Sequence, residues 1–257
     1  MLLKPTLLAG AFLLASLNAQ ADLTNYTANG TEIVYDSFSN VTWTKDSNML
    51  ESLYTEQGYS AVVNAIIAVS PTITNTPNFL DGYTGTYSLT AIDFDSDGRT
   101  TWFGALAYVN YLNSINYGGS KSWYLPTAVF YPGSQIEEFG PYPTIGSAKG
   151  NELSELHRGL YDASTGFKDP SDYFNVEYGN YWYGTETNPS NIPAVAWAYL
   201  FNEGAEDVNL IIAEKSNHLY AWAVNPGQVS AVPEPESFAM LLAGLGVLGF
   251  ATRRKQK

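Results

Sequence analysis

The chain has 257 residues, with 12 Lys or Arg against 25 Asp or Glu, so its formal net charge at pH 7 is −13. An acidic surface of this kind repels phosphate backbones and anionic lipids, which argues against nucleic acid as a partner. Cysteine is absent, and its absence excludes disulfides, thiolate metal ligands and nucleophilic thiol chemistry.

The first 21 residues have the order of a secretory signal peptide. One early cation, Lys4, precedes an apolar stretch over residues 7–17, and Ala-Gln-Ala at 19–21 supplies a cleavage site of the small-x-small type. We therefore expect export of the chain, with cleavage after Ala21.

The body that follows is rich in aromatic residues, and Tyr alone occurs 19 times. Such a composition is typical of short strands and long ordered loops. The segment TEIVYDSFSNVTWTKD predicts strands over residues 32–35 and 41–44, joined by a turn over 37–40. Apolar residues at helical spacing predict a helix from about residue 59 to 69, and residues 70–87 are predicted to form a loop.

The clearest helical pattern covers residues 101–113, where one apolar stripe follows a candidate N-cap at Thr100. A shorter helix is expected near 151–160. The segments YWYGTE, AVAWAYLF and LYAWAV alternate aromatic and small residues, which predicts antiparallel strands. The tryptophans are expected in the core rather than in a ligand platform, because tryptophan is usually largely buried. They are Trp43, Trp102, Trp123, Trp182, Trp197 and Trp222.

The chain ends in VPEPESFAMLLAGLGVLGFATRRKQK. This tail contains Pro233, Glu234 and Pro235, an uncharged span over 237–251, and the cations Arg253, Arg254, Lys255 and Lys257. A helix over the span would rise about 22 Å, short of the ~30 Å hydrocarbon core, so insertion needs flanking residues or local thinning. The cations would hold the C-terminus in the cytoplasm. We expect a linker over 225–236 and a membrane helix with a basic tail over 237–257, since a packed core helix would carry a polar face.

The tail resembles the PEP-CTERM sorting signal of exopolysaccharide-producing Gram-negative bacteria. This resemblance implies recognition by an exosortase, a membrane-embedded cysteine protease-transpeptidase, and delivery of the body to the cell surface or extracellular matrix. The mature form would then lack residues 253–257. Without both terminal signals the body has 7 Lys or Arg against 23 Asp or Glu, a net charge of −16.

A second resemblance rests on short blocks that follow one another in order. They are VTWTKDSNM, DGRTTWFGALAYVNYLN, WYLPT, NELSEL, YWYGTE, AWAYLF and LYAWAV. The series, over about 41–224 of a body expected at 22–224, is similar to the Lcl-C-terminal-like domain, a bacterial family of unknown function. It implies a single α+β domain of C-type-lectin-like character, with short antiparallel strands, two or three helices and long loops, used mainly for binding. Two positions depart from the family pattern: Tyr124 stands where Arg is usual, and Tyr183-Gly184 replaces Ser-Ser.

The sharpest chemical feature is the segment DFDSDGRT, which matches the first half of a calcium loop, D-x-D-x-D-G. The candidate Ca²⁺ ligands are Asp93, Asp95, Asp97 and the backbone carbonyl of Arg99. The twelfth position of the loop is Gly104, so the bidentate carboxylate is missing and a complete EF-hand is excluded. The alternative is an acidic turn at the start of the following helix, where carboxylates favour the positive end of the helix dipole.

No catalytic motif is present: the chain has no H-E-x-x-H, no G-x-S-x-G and no phosphate-binding glycine loop. Its histidines, His157 and His218, are expected on the surface. A glycosidase needs only two carboxylates, and Glu137, Glu138, Glu152 and Glu155 are candidates, although solvated acidic faces are the expectation for all four.

We therefore expect an exported, exosortase-sorted protein with a non-catalytic binding or adhesion domain in an exopolysaccharide-rich envelope. Its expected partners are the secretion machinery, the exosortase, and polysaccharide or another surface protein, with the membrane contacted through the C-terminal helix before processing. Two alternatives stay open. One is a carbohydrate-active enzyme of the matrix, and the other is a structural matrix protein without a specific ligand.

Overall fold

The structure is a computed structural model, and it describes residues 23–74, 85–128, 144–145, 148–149, 151–162, 166–167, 169–187, 194–202 and 210–230. The expected signal peptide, the expected membrane helix and the candidates Glu137 and Glu138 lie outside the described residues. Of the linker expected over 225–236, the part up to Ser230 is described.

Within these residues the fold is α+β, which confirms the predicted class. The helices are α1 (Met49–Gln57), α2 (Tyr59–Val69), α3 (Trp102–Ser114) and α4 (Glu152–Leu160). The strands are β1 (Leu23–Ala28), β2 (Thr31–Asp36), β3 (Val41–Thr44), β4 (Thr72–Thr74), β5 (Thr86–Ser88), β6 (Thr144–Ile145), β7 (Ala148–Lys149), β8 (Tyr161–Asp162), β9 (Gly166–Phe167), β10 (Gly179–Thr187), β11 (Val195–Phe201), β12 (Leu210–Glu214) and β13 (Val224–Pro226).

Five antiparallel sheets are formed by the described strands. The largest has the order β1-β2-β3-β13, and a second has the order β10-β11-β12. The other three are the pairs β4-β5, β6-β7 and β8-β9. Among the described residues, no helix is long and apolar enough to cross a membrane.

Several elements match the sequence predictions closely. The strands β2 and β3 and their connecting turn are present, and α2 has the predicted bounds. Helix α3 is also present, but its N-cap is Thr101, whose hydroxyl accepts the N–H of Gly104. Thr100 is not the cap, because its backbone is still extended and exchanges two hydrogen bonds with Leu219, at 2.8 and 3.0 Å.

Three features differ from the sequence predictions. Helix α1 was not expected, since its sequence MLESLYTEQ is largely polar, and it brings the described helices to four against the two or three predicted. The ends of the predicted loop over 70–87 pair as β4 and β5. The segment LYAWAV is not one regular strand, because its first two residues form isolated bridges to Thr100 and Tyr181 and only its last residue belongs to β13.

The predicted burial of all six tryptophans is confirmed. Four of their indole N–H groups donate to backbone carbonyls: Trp102 to Tyr183 at 2.9 Å, Trp123 to Tyr117 at 2.9 Å, Trp182 to Thr100 at 2.8 Å and Trp222 to Thr44 at 2.9 Å. Each of these four buried indoles therefore contributes apolar packing while its polar group is satisfied.

The packed body continues past residue 224 to Val229, which is buried. The N–H of Val229 donates to Oγ1 of Thr42 at 3.2 Å, and its carbonyl accepts the hydroxyl of Tyr26 at 3.0 Å. Residues 225–229 thus belong to the fold rather than to a free linker.

Replacement of Trp222 by Ala tests how much the aromatic core contributes to the free energy of unfolding. The indole of Trp222 is fully buried, with ring centroids 4.9 Å from those of Trp43 and Phe174. We expect Trp222→Ala to lower the free energy of unfolding by about 3–5 kcal/mol in urea denaturation. Phe38 is 41% exposed, so the control Phe38→Ala should change it by about 0.5 kcal/mol or less. Equal losses in both variants would contradict the assigned core.

Candidate functional site

Asp93 is the buried anchor of the acidic turn, with only 1% of its surface exposed. Its carboxylate accepts hydrogen bonds from the hydroxyls of Tyr87 and Thr101, both at 2.8 Å. The N–H and the hydroxyl of Thr90 donate to its other oxygen, at 2.8 and 3.3 Å. Both carboxylate oxygens are therefore occupied by the protein's own donors, which leaves Asp93 a structural role.

The other two carboxylates of the turn contact two separate side chains. Asp95 Oδ2 lies 3.2 Å from Nδ1 of His218, and Asp97 Oδ2 lies 2.7 Å from Nη2 of Arg99. Partial desolvation acts to raise the pKa of Asp97, but the hydrogen bonds and charge of Arg99 lower it overall. The carbonyl of Arg99, the fourth candidate ligand, accepts the N–H of Asp95 at 2.8 Å.

The predicted calcium ligands are therefore not brought together. Calcium needs oxygens that converge on one point, whereas these carboxylates point to three different sets of partners. Among the described residues, no group of three or more His, Asp or Glu is placed to hold a metal ion. In this arrangement the donor set does not fit Ca²⁺, and calcium binding stays a prediction from the sequence alone.

A pocket of about 450 Å³ lies between α3, β4 and residues 123–127, and it is named here the α3–β4 pocket. It is lined by Thr72, Ile73, Thr74, Leu106, Val109, Asn110, Trp123, Tyr124, Leu125, Thr127 and Gly184. None of these side chains carries a charge at neutral pH. Its volume falls in the range of about 300–1,000 Å³ that is typical of small-molecule sites.

Tyr124 and Gly184, where the sequence departs from the Lcl-C-terminal-like pattern that it resembles, both line the α3–β4 pocket. Tyr124 forms part of its wall, and Gly184 lies where β10 approaches residues 125–126, with its N–H 2.8 Å from the carbonyl of Pro126. A Cβ atom at position 184 would come within 3.2 Å of Cβ of Leu125. Glycine therefore permits the close approach that shapes this wall.

Glu152 lies behind the same wall, at the start of α4, and is 1% exposed. Its Oε1 accepts the hydroxyl of Tyr124 at 2.9 Å, and its Oε2 accepts the N–H of Thr127 at 2.8 Å and the hydroxyl of Thr127 at 3.2 Å. Burial raises the pKa of Glu152 to about 7, although these hydrogen bonds act to lower it. The sequence patterns did not identify this carboxylate as a residue that supports a pocket.

The expectation of solvated acidic faces is wrong for Glu152 and also for Glu155, which is 2% exposed. The surface position expected for His157 is wrong as well: its Nδ1 lies 2.6 Å from the hydroxyl of Tyr199, and burial lowers its pKa. Glu152, Glu155 and His157 are all buried because α4 packs against β11 and its aromatic side chains. His218 lies after the turn that follows β12, partly exposed, as expected.

Glu152→Gln removes the ionisation of the buried carboxyl while it keeps the side chain's shape. The pKa of Glu152 rises from 4.5 to about 7 on folding, so the folded state binds the proton more tightly. The stability gained is complete below about pH 4.5 and is lost as the pH rises through about 7. We expect the free energy of unfolding of the wild type, relative to the variant, to fall between about pH 5 and pH 8. A difference between the two proteins that is constant with pH would refute this.

Asp93→Ala distinguishes an anchor from a calcium ligand. We expect Asp93→Ala to lower the free energy of unfolding by at least about 2 kcal/mol, because the donors of Tyr87, Thr90 and Thr101 lose a buried acceptor. The fall in Tm should be the same in millimolar Ca²⁺ and in chelator, as followed by thermal melting. A wild-type Tm that rises with Ca²⁺, and that no longer rises in Asp95→Ala, would establish the calcium site instead.

The comparisons with known proteins bear on the tail of the chain. Residues 231–255 match the PEP-CTERM protein-sorting motif. No curated protein and no solved structure shows significant similarity to the chain, so the C-type-lectin-like character of the body stays a prediction. The motif indicates an exported protein that exosortase-dependent sorting delivers, through a membrane-anchored precursor, to the cell surface or the extracellular space.

Proposed function

We propose that this protein is a non-catalytic binding protein of the bacterial surface, and that its α3–β4 pocket holds a saccharide unit of the surrounding exopolysaccharide. The observation that carries the proposal is the neutral lining of the pocket, where aromatic, hydroxyl and amide groups occur together. Lining of this kind is what orients a small polar ligand without charge. The expected signal peptide and the sorting motif, which indicates delivery to the cell surface or the extracellular space, support contact of such a site with matrix polymers.

The charge of the body supports an uncharged ligand. Without its terminal signals the body carries a net charge of −16, and such a field raises the free energy of any anionic polymer near the surface. A neutral saccharide does not meet this repulsion. A C-type-lectin-like body, as the short sequence blocks imply, is consistent with the same role.

The enzyme alternative has less support from the described residues. A glycosidase needs two carboxyl groups that flank the scissile bond, whereas no Asp or Glu side chain among the described residues lines the pocket. Glu152 is separated from the pocket by the two wall residues that it accepts hydrogen bonds from, Tyr124 and Thr127. A purely structural matrix protein would have no need of a pocket with this lining.

Binding of the purified protein to an array of neutral and acidic oligosaccharides tests the proposal. Asn110 is an exposed residue of α3 that lines the pocket, and Asn64 is an exposed residue of α2 that does not. We expect Asn110→Tyr to weaken saccharide binding at least roughly tenfold by filling the pocket, and the matched Asn64→Tyr to leave it unchanged.

Two results would count against the proposed function. If the wild type retains no saccharide, or if Asn110→Tyr binds as well as Asn64→Tyr, the pocket is not the binding site. Release of reducing ends from a bound oligosaccharide would favour the enzyme alternative.

A further inference from the structure

Two hydroxyls in the wall of the α3–β4 pocket, those of Tyr124 and Thr127, have their protons turned towards a buried carboxylate. The hydroxyls of Tyr124 and Thr127 both donate to Glu152, at 2.9 and 3.2 Å. On α3, the amide nitrogen of Asn110 donates one of its two protons to Oγ of Ser70 at 3.1 Å. A hydroxyl has a single proton and two lone pairs, so each wall hydroxyl that donates to Glu152 can offer a ligand only its oxygen.

We infer that Glu152 sets the hydrogen-bond polarity of the α3–β4 pocket, so that the pocket selects uncharged ligands rich in hydroxyl donors over ligands that bring carboxylates. The inference rests on the proposed function and deepens it by naming the ligand class. An ionised carboxylate only accepts hydrogen bonds, and it therefore fixes both wall hydroxyls in the donating orientation. Glu152 is a positioning residue, because it acts on the ligand through Tyr124 and Thr127.

A neutral saccharide fits a wall of acceptors, since each of its hydroxyls can donate. A uronic acid replaces one such donor by an acceptor-only group and adds a negative charge. A carboxylate placed against Tyr124 and Thr127 would therefore face oxygen lone pairs without a proton between them. Leaving a desolvated polar group unpaired costs more than the missing hydrogen bond itself, and this cost produces discrimination between the two classes of sugar.

The phenols and the imidazole around Glu152 are neutral near pH 7. Tyr124 belongs to the pocket wall and Tyr183 to β10, and burial raises the pKa of both phenols further above their ordinary range. On α4 itself lie Glu155 and His157, and burial lowers the pKa of His157, which pairs with Tyr199 of β11. When Glu152 takes up a proton it becomes a donor, and one wall hydroxyl is released to donate into the pocket.

The test uses the full-length protein and isothermal titration with neutral trisaccharides of glucose, mannose and galactose, and with trigalacturonate. We expect the wild type to bind at least one neutral trisaccharide at least roughly tenfold more tightly than trigalacturonate. Tyr124→Phe removes the wall acceptor and should weaken the neutral complex roughly fivefold to tenfold. The matched control is Tyr35→Phe, which removes the hydrogen bond from Tyr35 to Asn40 outside the pocket and should leave binding unchanged.

Glu152→Gln supplies the readout that a merely structural role would not produce. The wild-type affinity for the neutral trisaccharide should fall as the pH is lowered from about 8 to about 6, while the affinity of the variant should be weaker and flat across this range. If the variant does not fold, the pH profile of the wild type and Tyr124→Phe still decide the matter.

The outcomes separate this inference from the proposed function. Equal affinity for trigalacturonate and the neutral sugars, unchanged binding by Tyr124→Phe, or a flat wild-type pH profile would overturn the role of Glu152 and leave the binding function standing. A wild type that binds no saccharide at all would overturn the proposed function, and this inference with it.

Discussion

Hydrogen bonds from buried indole N–H groups to backbone carbonyls organise the body of a chain that has no disulfides to hold it. The acceptors that the tryptophans of β10 and α3 find are backbone carbonyls far away in the sequence. Trp182 donates to Thr100 and Trp102 donates to Tyr183. Because a lost partner would leave a buried donor unsatisfied, each of these bonds fixes where β10 crosses the start of α3. The position of Gly184 beside residues 125–126, and hence the shape of the α3–β4 pocket, depends on this crossing.

The same crossing holds the acidic turn, whose sequence matches the first half of a calcium loop. The hydroxyl of Thr100 donates to the carbonyl of Asp93 at 2.6 Å, so the turn is tied to the residue that also receives the indole of Trp182. Gly104 stands where the calcium loop would need its last carboxylate, and a Cβ atom there would lie 1.9 Å from Oγ1 of Thr100. The glycine that breaks the calcium pattern is thus the one that lets α3 pack against the turn.

Local sequence patterns were sufficient for the elements that are rich in apolar residues. The bounds of α2 and β3 match the prediction, and those of β2 differ by one residue at each end. Helix α1 escaped this approach because its sequence MLESLYTEQ is largely polar, whereas that of α2, YSAVVNAIIAV, is mostly apolar. Periodicity also says nothing about how deeply the polar residues of a helix lie, so it could not reveal that Glu152 is enclosed by partners 25 and 28 residues away. The sequence signal for the pocket was the departure from the Lcl-C-terminal-like pattern at Tyr124 and Gly184. Both residues line the α3–β4 pocket.

The sorting motif and the α3–β4 pocket, which is the proposed binding site, are separate parts of this chain. The last packed residues before the sorting motif are held by the first sheet: Oγ1 of Thr42 donates to the carbonyl of Gly227 at 2.8 Å, and Tyr26 and Thr42 hold Val229. The motif begins at residue 231, beyond all of these contacts. The α3–β4 pocket is built from α3, β4, β10 and residues 123–127, none of which includes the motif. An exosortase that cuts within residues 231–255 therefore removes no hydrogen bond that holds Val229 and no residue that lines the pocket.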